Sequence, residues 1–302
     1  MKRFHNGKFT GKYDTSVHVG FPQILRWKLS RRPGRREAGR PLRTVDMSDR
    51  LGIGDDFLCW LSHASFLLQL NGKRLLLDPV FGDIPFYRRL NPAPYTPEQL
   101  GKIDYLLLSH THYDHVDAPS VSKVAESDPL AVVPLHMSRL LKKIAPGLRC
   151  VELDWYETFG EEGVKITLVP ARHWGRRGLF DKNRALWGGY ILQTAGKTIY
   201  FAGDTAAGDH FEQIGRRFDI DLALLPIGAY EPAFIMKHNH LNPEEAFAAF
   251  RQLGAKKMLP MHYGTFRLSD EPPGEPLERI EKIADAHPGT VEIVRPGEII
   301  LL

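Results

Sequence analysis

In Ile103-Asp104-Tyr105-Leu106-Leu107-Leu108-Ser109-His110-Thr111-His112-Tyr113-Asp114-His115, an apolar run of strand length gives way to three imidazoles and a carboxylate within six residues. The run is too short for a helix and too β-rich in its context, so it predicts a buried strand ending at Ser109. The H-x-H-x-D-H string that follows has the donor types of a metal site. Its place suits that role, because the end of a strand is where a sheet opens onto solvent.

The spacing points to two ions. On an extended or tightly turning backbone, His110 and His112 project to one side and can share a cation, while Asp114 and His115 begin the next turn and face a second. Zinc takes about four ligands at roughly 2.0–2.2 Å from nitrogen or oxygen donors, so four residues are too few for two ions. Three later segments repeat the strand-end placement: Pro170-Ala171-Arg172-His173-Trp174, Tyr200-Phe201-Ala202-Gly203-Asp204-Thr205 and Leu259-Pro260-Met261-His262-Tyr263-Gly264.

Patterning over the rest of the chain predicts strands near 57–61, 65–70, 74–78, 104–108, 131–134 and 149–152, with a helix near 137–145. A second group is expected near 164–169, 188–194, 197–202, 221–225, 257–261, 291–294 and 298–302, covered by helices near 209–217, 243–253 and 276–286. The clearest helix start is Asn242-Pro243-Glu244-Glu245, with Asn at the N-cap, Pro at N1 and Glu at N3. Strands alternating with helices, with turns such as Asn71-Gly72, suit an α/β domain of two face-to-face sheets with helices outside.

The chain has 302 residues, of which 43% are hydrophobic, enough for one large core. No run of eighteen apolar residues occurs, which speaks against a spanning helix. The start lacks the apolar core of a secretory signal. Cys59 and Cys150 stand apart from the metal motif and read as reduced core residues, so a cytoplasmic location is expected. Charge is uneven. Residues 1–50 hold thirteen Lys or Arg against four Asp or Glu, a balance of +9, and the remaining 252 residues sum to −5. The expected division is therefore a basic N-terminal arm, 1–50, and one large domain, 51–302, that carries the metal motif. Within the arm, Pro22–Leu29 looks amphipathic and Arg31-Arg32-Pro33-Gly34-Arg35-Arg36 is too charged to fold alone. Such an arm could ride on the anionic inner face of a membrane or wrap its own domain.

Taken together, the string, the lone His173, Asp204 after a strand and the late His262 resemble the metallo-β-lactamase superfamily. A finer likeness is to the N-acyl-phosphatidylethanolamine-hydrolysing phospholipase D family and its bacterial relatives. It rests on Leu61-Ser62-His63-Ala64-Ser65, Leu77-Asp78-Pro79-Val80-Phe81, Glu152-Leu153-Asp154-Trp155, Ala171-Arg172-His173-Trp174, Ala185-Leu186-Trp187-Gly188, Phe201-Ala202-Gly203-Asp204-Thr205, Pro226 to Pro232 and His262-Tyr263-Gly264-Thr265-Phe266. The resemblance implies a four-layer αββα sandwich of two mixed sheets flanked by helices. It also implies one ion on His110, His112 and His173, another on Asp114, His115 and His262, and Asp204 bridging them. His240 matches a family position near the reaction centre and is a candidate proton donor, so Asp114, Asp204 and His240 are the expected catalytic residues.

Two divalent ions about 3.5–4 Å apart lower the pKa of a shared water towards 7, which makes metal-assisted hydrolysis the expected chemistry. The thiolate-free donor set suits zinc, with iron or manganese also compatible. Asp78, at a strand end before Pro79, could fix the tautomer of a ligand histidine. The resemblance implies a phospholipid or other phosphodiester substrate. The loop from Pro79 to Pro97 offers Phe81, Ile84, Phe86, Tyr87 and Tyr95 for acyl chains and Arg88 and Arg89 for phosphate, joined by Arg176 and Arg177 beyond His173. Three other readings are a hydrolase of small phosphorylated lactones or esters, a tRNA-end nuclease, and a non-enzymatic metal-dependent membrane-surface protein. No RNA-stacking motif is evident, which speaks against nucleic acid, and all seven expected ligands are present, which speaks against the last.

Overall fold

The computed structural model describes residues 4–16, 29, 42–161 and 163–302. A short hairpin, β1 (Phe4–His5) and β2 (Lys8–Phe9), precedes the domain proper. The first large sheet contains β3 (Phe57–Trp60), β4 (Phe66–Leu70), β5 (Lys73–Leu77), β6 (Tyr105–Leu107), β7 (Leu130–Pro134) and β8 (Arg149–Leu153). The C-terminal strand β15 (Ile299–Leu301) completes it beside β3. Pairing is antiparallel from β15 to β5 and parallel from β5 to β8. The second sheet contains β9 (Thr158–Glu161), β10 (Val164–Val169), β11 (Gly189–Gln193), β12 (Thr198–Phe201), β13 (Leu222–Pro226) and β14 (Lys257–Met261), antiparallel up to β12 and parallel beyond it.

Residue alternation explains how the layers stack. In β4, Phe66, Leu68 and Leu70 join a core that includes Ile166, Leu168 and Tyr190 of the second sheet, while Leu67 faces the opposite way. That other face is covered by α1 (Ala118–Ala125) and α2 (Ser138–Ile144), through Val121, Val124 and Leu141. On the far side of the second sheet, α3 (His210–Gly215), α5 (Pro243–Leu253) and α6 (Glu275–Ala286) supply Phe211, Ile214, Phe250 and Ile280 to the core. A one-turn α4 (Ala233–Met236) lies in the loop before α5. The expected αββα sandwich of two mixed sheets is the observed architecture.

The Asn242 capping box forms as read: the side chain accepts from Glu245 N at 2.8 Å and Glu245 returns the bond to Asn242 N. The elements differ from expectation in several places, with β9, the β1–β2 hairpin and the one-turn α4 among those not expected. Residues 291–294 form no strand: Val291 makes a single bridge to Met258, and the chain then turns at Pro296-Gly297 to place β15 in the other sheet. Helix α1 was not expected; Asp117 caps it by accepting from Ser120 N, and its Ser and Val residues, poor helix formers alone, bury one face.

The described residues before position 51 touch the rest of the chain. Phe9, Tyr13 and Thr15 are buried against the domain, and Val45 N and Met47 N donate to Pro296 O and Tyr95 Oη. Of the amphipathic and polybasic stretches, all but Leu29 lie outside the described residues. No helix among the described residues is long and apolar enough to cross a membrane.

Candidate metal centre

Every donor in the expected set sits just beyond a strand of the two sheets, where their ends meet. β6 delivers His110 to His115, β10 delivers His173, β12 delivers Asp204, and β14 delivers His262. The seven side chains converge in two groups. In the first, His112 Nδ1 lies 2.9 Å from His110 Nε2 and 3.1 Å from His173 Nε2. Asp204 Oδ2 is 3.8 Å from His110 Nε2 and 3.7 Å from His173 Nε2. In the second, Asp114 Oδ2 is 3.7 Å from His115 Nε2 and 3.4 Å from His262 Nε2. The other oxygen of Asp204, Oδ1, completes it at 3.2 Å from His115 Nε2 and 3.1 Å from His262 Nε2. One carboxylate therefore turns a different oxygen to each group.

The hydrogen-bond roles decide what these groups are suited to hold. His173 Nδ1 faces the main-chain oxygen of Asn239 at 3.1 Å, which can only accept, so Nδ1 carries the proton and Nε2 presents a lone pair inward. His115 Nδ1 lies 2.7 Å from Asp78 Oδ2, which directs its Nε2 inward in the same way. His115 Nε2, both nitrogens of His262 and Asp204 Oδ1 are buried with no hydrogen-bond partner among the described residues. Buried lone pairs aimed at one another across about 3 Å repel and cost desolvation energy unless a cation lies between them. The donor set thus fits divalent metal. Electrostatics agree: against the pull of burial on each group, Asp204, Asp114 and Asp78 hold the His115 imidazole well above its ordinary value, and the positive charge it then carries, with the other imidazoles, holds Asp204 and Asp114 well below the usual carboxylate range, so the site draws positive charge to the place between these groups. Burial, followed by neighbouring imidazoles, keeps His110 neutral.

A rigid frame holds the donors. Fully buried Asp78 follows β5 and accepts from Ser109 N at 2.7 Å and from Ser109 Oγ at 2.5 Å in addition to His115. This is the tautomer-fixing part expected of it. Gly203 has φ +59°, and a Cβ there would sit 2.8 Å from that of Ser109, so only glycine lets Asp204 approach the β6 loop. Thr205 Oγ1 accepts from Arg172 N at 3.0 Å, tying the Asp204 and His173 segments together.

The candidate substrate residues divide by environment. Phe86 is 99% exposed, and Leu179, Phe180 and Phe234 are exposed in the other loops that carry or flank donors. Arg88 is exposed, Tyr87 packs beside Val80, Ile84 and Phe266, and Phe81 is half-buried against the outer helical layer. Arg89 turns inward, donating to Asn91 O, Val80 O and Ser62 Oγ. Tyr95 is a core residue whose hydroxyl donates to Gly297 O at 2.7 Å, so it leaves the expected aromatic mouth. Arg176 donates to Gly178 O. Arg177 stacks over Tyr113 at 4.0 Å and donates to Val116 O at 2.5 Å, bracing the H-x-H-x-D-H loop from outside. His240 Nδ1 lies 3.8 Å from Asp204 Oδ2, with its side chain 11% exposed at the edge of the centre. Burial pushes its imidazole down to about 4.

His63 also belongs to this site, although the sequence alone assigns it no role. It is buried, its Nε2 lies 3.2 Å from Asp114 Oδ2, and its ring packs 4.1 Å from that of His262. Its main-chain oxygen accepts from His262 N at 2.9 Å and from Trp60 Nε1 at 3.0 Å. The only sequence signal was its place in Leu61–Ser65, far in the chain from every other donor.

Several known proteins are similar to this chain. A family model described as a beta-lactamase superfamily domain matches residues 73–263. N-acyl-phosphatidylethanolamine-hydrolyzing phospholipase D 1 of Caenorhabditis elegans is 34% identical over 265 residues, covering 82% of this chain and 74% of that protein. A metal-dependent hydrolase of Pyrobaculum aerophilum is 30% identical, covering 80% of this chain and 97% of its own. Among solved structures, Igni18, a metallo hydrolase from Ignicoccus hospitalis, superposes with a TM-score of 0.64 at 25% identity, covering 82% of this chain and 98% of that one.

Proposed function

Because the chain belongs to the beta-lactamase superfamily, as a metal-dependent hydrolase, we propose that its two donor groups hold two divalent cations, most simply zinc, and that it cleaves a lipid phosphodiester as a phospholipase D does. The observation that carries the two-cation reading is the split of Asp204, with Oδ2 toward His110 and His173 and Oδ1 toward His115 and His262. The likeness to a phospholipase named for N-acyl-phosphatidylethanolamine supports the choice of substrate. So do Phe86, Leu179, Phe180 and Phe234, apolar and exposed in the loops around the centre, with Arg88, Arg176 and Lys237 among them.

His110, His112 and His173 would hold one cation, Asp114, His115 and His262 the other, and Asp204 both. Cations bound there would bring a water towards a pKa of about 7 and draw charge from the phosphoryl oxygens. The chain's own groups do the rest. Asp78 and the Asn239 carbonyl keep His115 and His173 in the tautomers that present Nε2. The oxygen of water adds to phosphorus, the bond from phosphorus to the head-group oxygen breaks, and His240, neutral at the exposed edge, takes the proton that the water gives up and passes it to that departing alkoxide. The products are a phosphatidic acid and an N-acylethanolamine. Arg88 and Arg176 would meet the phosphate, Phe86 and its exposed neighbours the acyl chains, and the polybasic residues of the N-terminal arm an anionic membrane surface.

The test is turnover by zinc-replete protein of N-acyl-phosphatidylethanolamine in vesicles, of a soluble aryl phosphodiester and of a phosphorylated lactone. Release of N-acylethanolamine from vesicles, well above turnover of the lactone, is the expected result. Turnover of the lactone alone would replace the lipid reading with that of a small-ester hydrolase.

A further inference from the structure

The segment from Gly11 to Ser16 runs beside His173 and supplies both main-chain hydrogen bonds of that residue. His173 N donates to Tyr13 O at 3.1 Å, and Thr15 N donates to His173 O at 3.2 Å. His173 lies four residues beyond the end of β10, so no strand of the second sheet makes these bonds for it. A second connection reaches the imidazole. The hydroxyl of buried Thr15 donates to Asn239 Oδ1 at 2.5 Å, and Asn239 O is the acceptor that faces His173 Nδ1. The segment is well anchored on both sides. Lys12 pairs with Asp209, Gln213 Nε2 donates to Tyr13 Oη at 3.0 Å, and the Tyr13 ring packs against His210 and Trp155. Phe9 N donates to Asn183 O, and Lys182 Nζ donates to Ser16 O.

We propose that residues 11–16 are a strap that sets His173 as a cation ligand, with Thr15 as a positioning residue acting through Asn239. A ligand beyond the end of its strand would otherwise be free to shift, and neighbours that orient a ligand imidazole commonly change metal affinity by about 10–100-fold when removed. The same bond also seats Asn239, and with it the adjacent His240 at the mouth. The basic N-terminal region thus carries two separable parts, a strap at its start that serves the metal centre and a polybasic stretch after it.

The inference rests on the reading that His173 holds a cation, and the experiment separates the two. Full-length protein loaded with zinc is challenged with a chromophoric chelator, and zinc retained per chain is followed alongside circular dichroism for the parent, Thr15→Val, Thr15→Ser, Asn239→Ala, the Thr15→Val/Asn239→Ala double variant and His173→Ala. Thr15→Val and Asn239→Ala should each weaken retention of one ion about tenfold and leave the other in place. Thr15→Ser should behave as the parent, and the double variant should be no weaker than Asn239→Ala alone, because both changes break one hydrogen bond. Parent-like retention in Thr15→Val and Asn239→Ala, with one ion lost in His173→Ala, would overturn the strap and leave the metal reading standing. If His173→Ala itself keeps both ions, the ligand assignment fails and the strap with it. Should Thr15→Val not fold, Asn239→Ala set against the parent tests the same bond.

Discussion

His63 Nε2 stands 3.2 Å from Asp114 Oδ2, within a buried set that also contains His115 and His262. Asp114 is the one carboxylate of its donor group besides Asp204, and the contact with His63 falls on the same oxygen that faces His115 and His262. His63 is itself fixed by Thr265 Oγ1, which accepts from its main-chain N at 2.9 Å, and by the edge of Phe266.

Replacing His63 by Ala should therefore weaken zinc at the Asp114 group by about 10–100-fold while the fold persists. Zinc retention against a chelator, read beside circular dichroism, checks this. Unchanged retention would mean that His63 only fills space.

Asp204→Ala should cost activity by orders of magnitude, more than loss of any single terminal histidine, because both donor groups lose a carboxylate oxygen at once. Steady-state turnover of a soluble phosphodiester by Asp204→Ala and His110→Ala, each checked for folding, makes the comparison. Activity of Asp204→Ala within tenfold of the parent would contradict the shared ligand.

Asp78→Ala should act first on stability. The substitution strands Ser109 N and His115 Nδ1 in a fully buried site, and each unsatisfied buried donor costs about 1–3 kcal/mol. A fall of about 3 kcal/mol in denaturant unfolding is expected. A change below about 1 kcal/mol would show that water or a neighbouring group takes the place of the carboxylate.

Acid should destabilise the protein partly through His210, which is buried beneath the Asp204 loop with Thr205 Oγ1 at 3.0 Å from its Nε2. Burial pushes its pKa down to about 3, outweighing the attraction of Asp209, while Arg172 and Lys12 push the same way as burial. The unfolded chain takes up this proton near pH 6.5 and the folded chain only near 3, so this contribution is complete above about pH 6.5 and is lost as pH falls between those values. The limiting slope is about 1.4 kcal/mol per pH unit. His210→Gln should show a shallower loss of stability from pH 6.5 to 5 by about that amount, measured by urea unfolding. Equal slopes would place the acid sensitivity elsewhere.

Much of this arrangement was legible because its signals were local. An apolar run ending in H-x-H-x-D-H, and the Asn242 to Glu245 cap, each lie within a few residues, and both appear as read. What stayed hidden depends on contacts distant in sequence. His63 meets Asp114 across fifty-one residues, and Thr15 meets Asn239 across 224. Tyr95 and Arg89 share the composition of a substrate loop, yet one hydroxyl ends on Gly297 and one guanidinium on the base of its own loop. Residues 291–294 have the pattern of a strand, but the crossing to β15 leaves them one bridge. Composition could show that the N-terminal region is basic; it could not show that Thr15 is buried beside the His173 segment.

Whether Asp204 joins two cations is decided by counting zinc in folded, zinc-replete parent protein by elemental mass spectrometry after removal of loosely bound metal. Two ions per chain are expected for the parent. One ion, or none, in protein that remains folded would contradict the bridge.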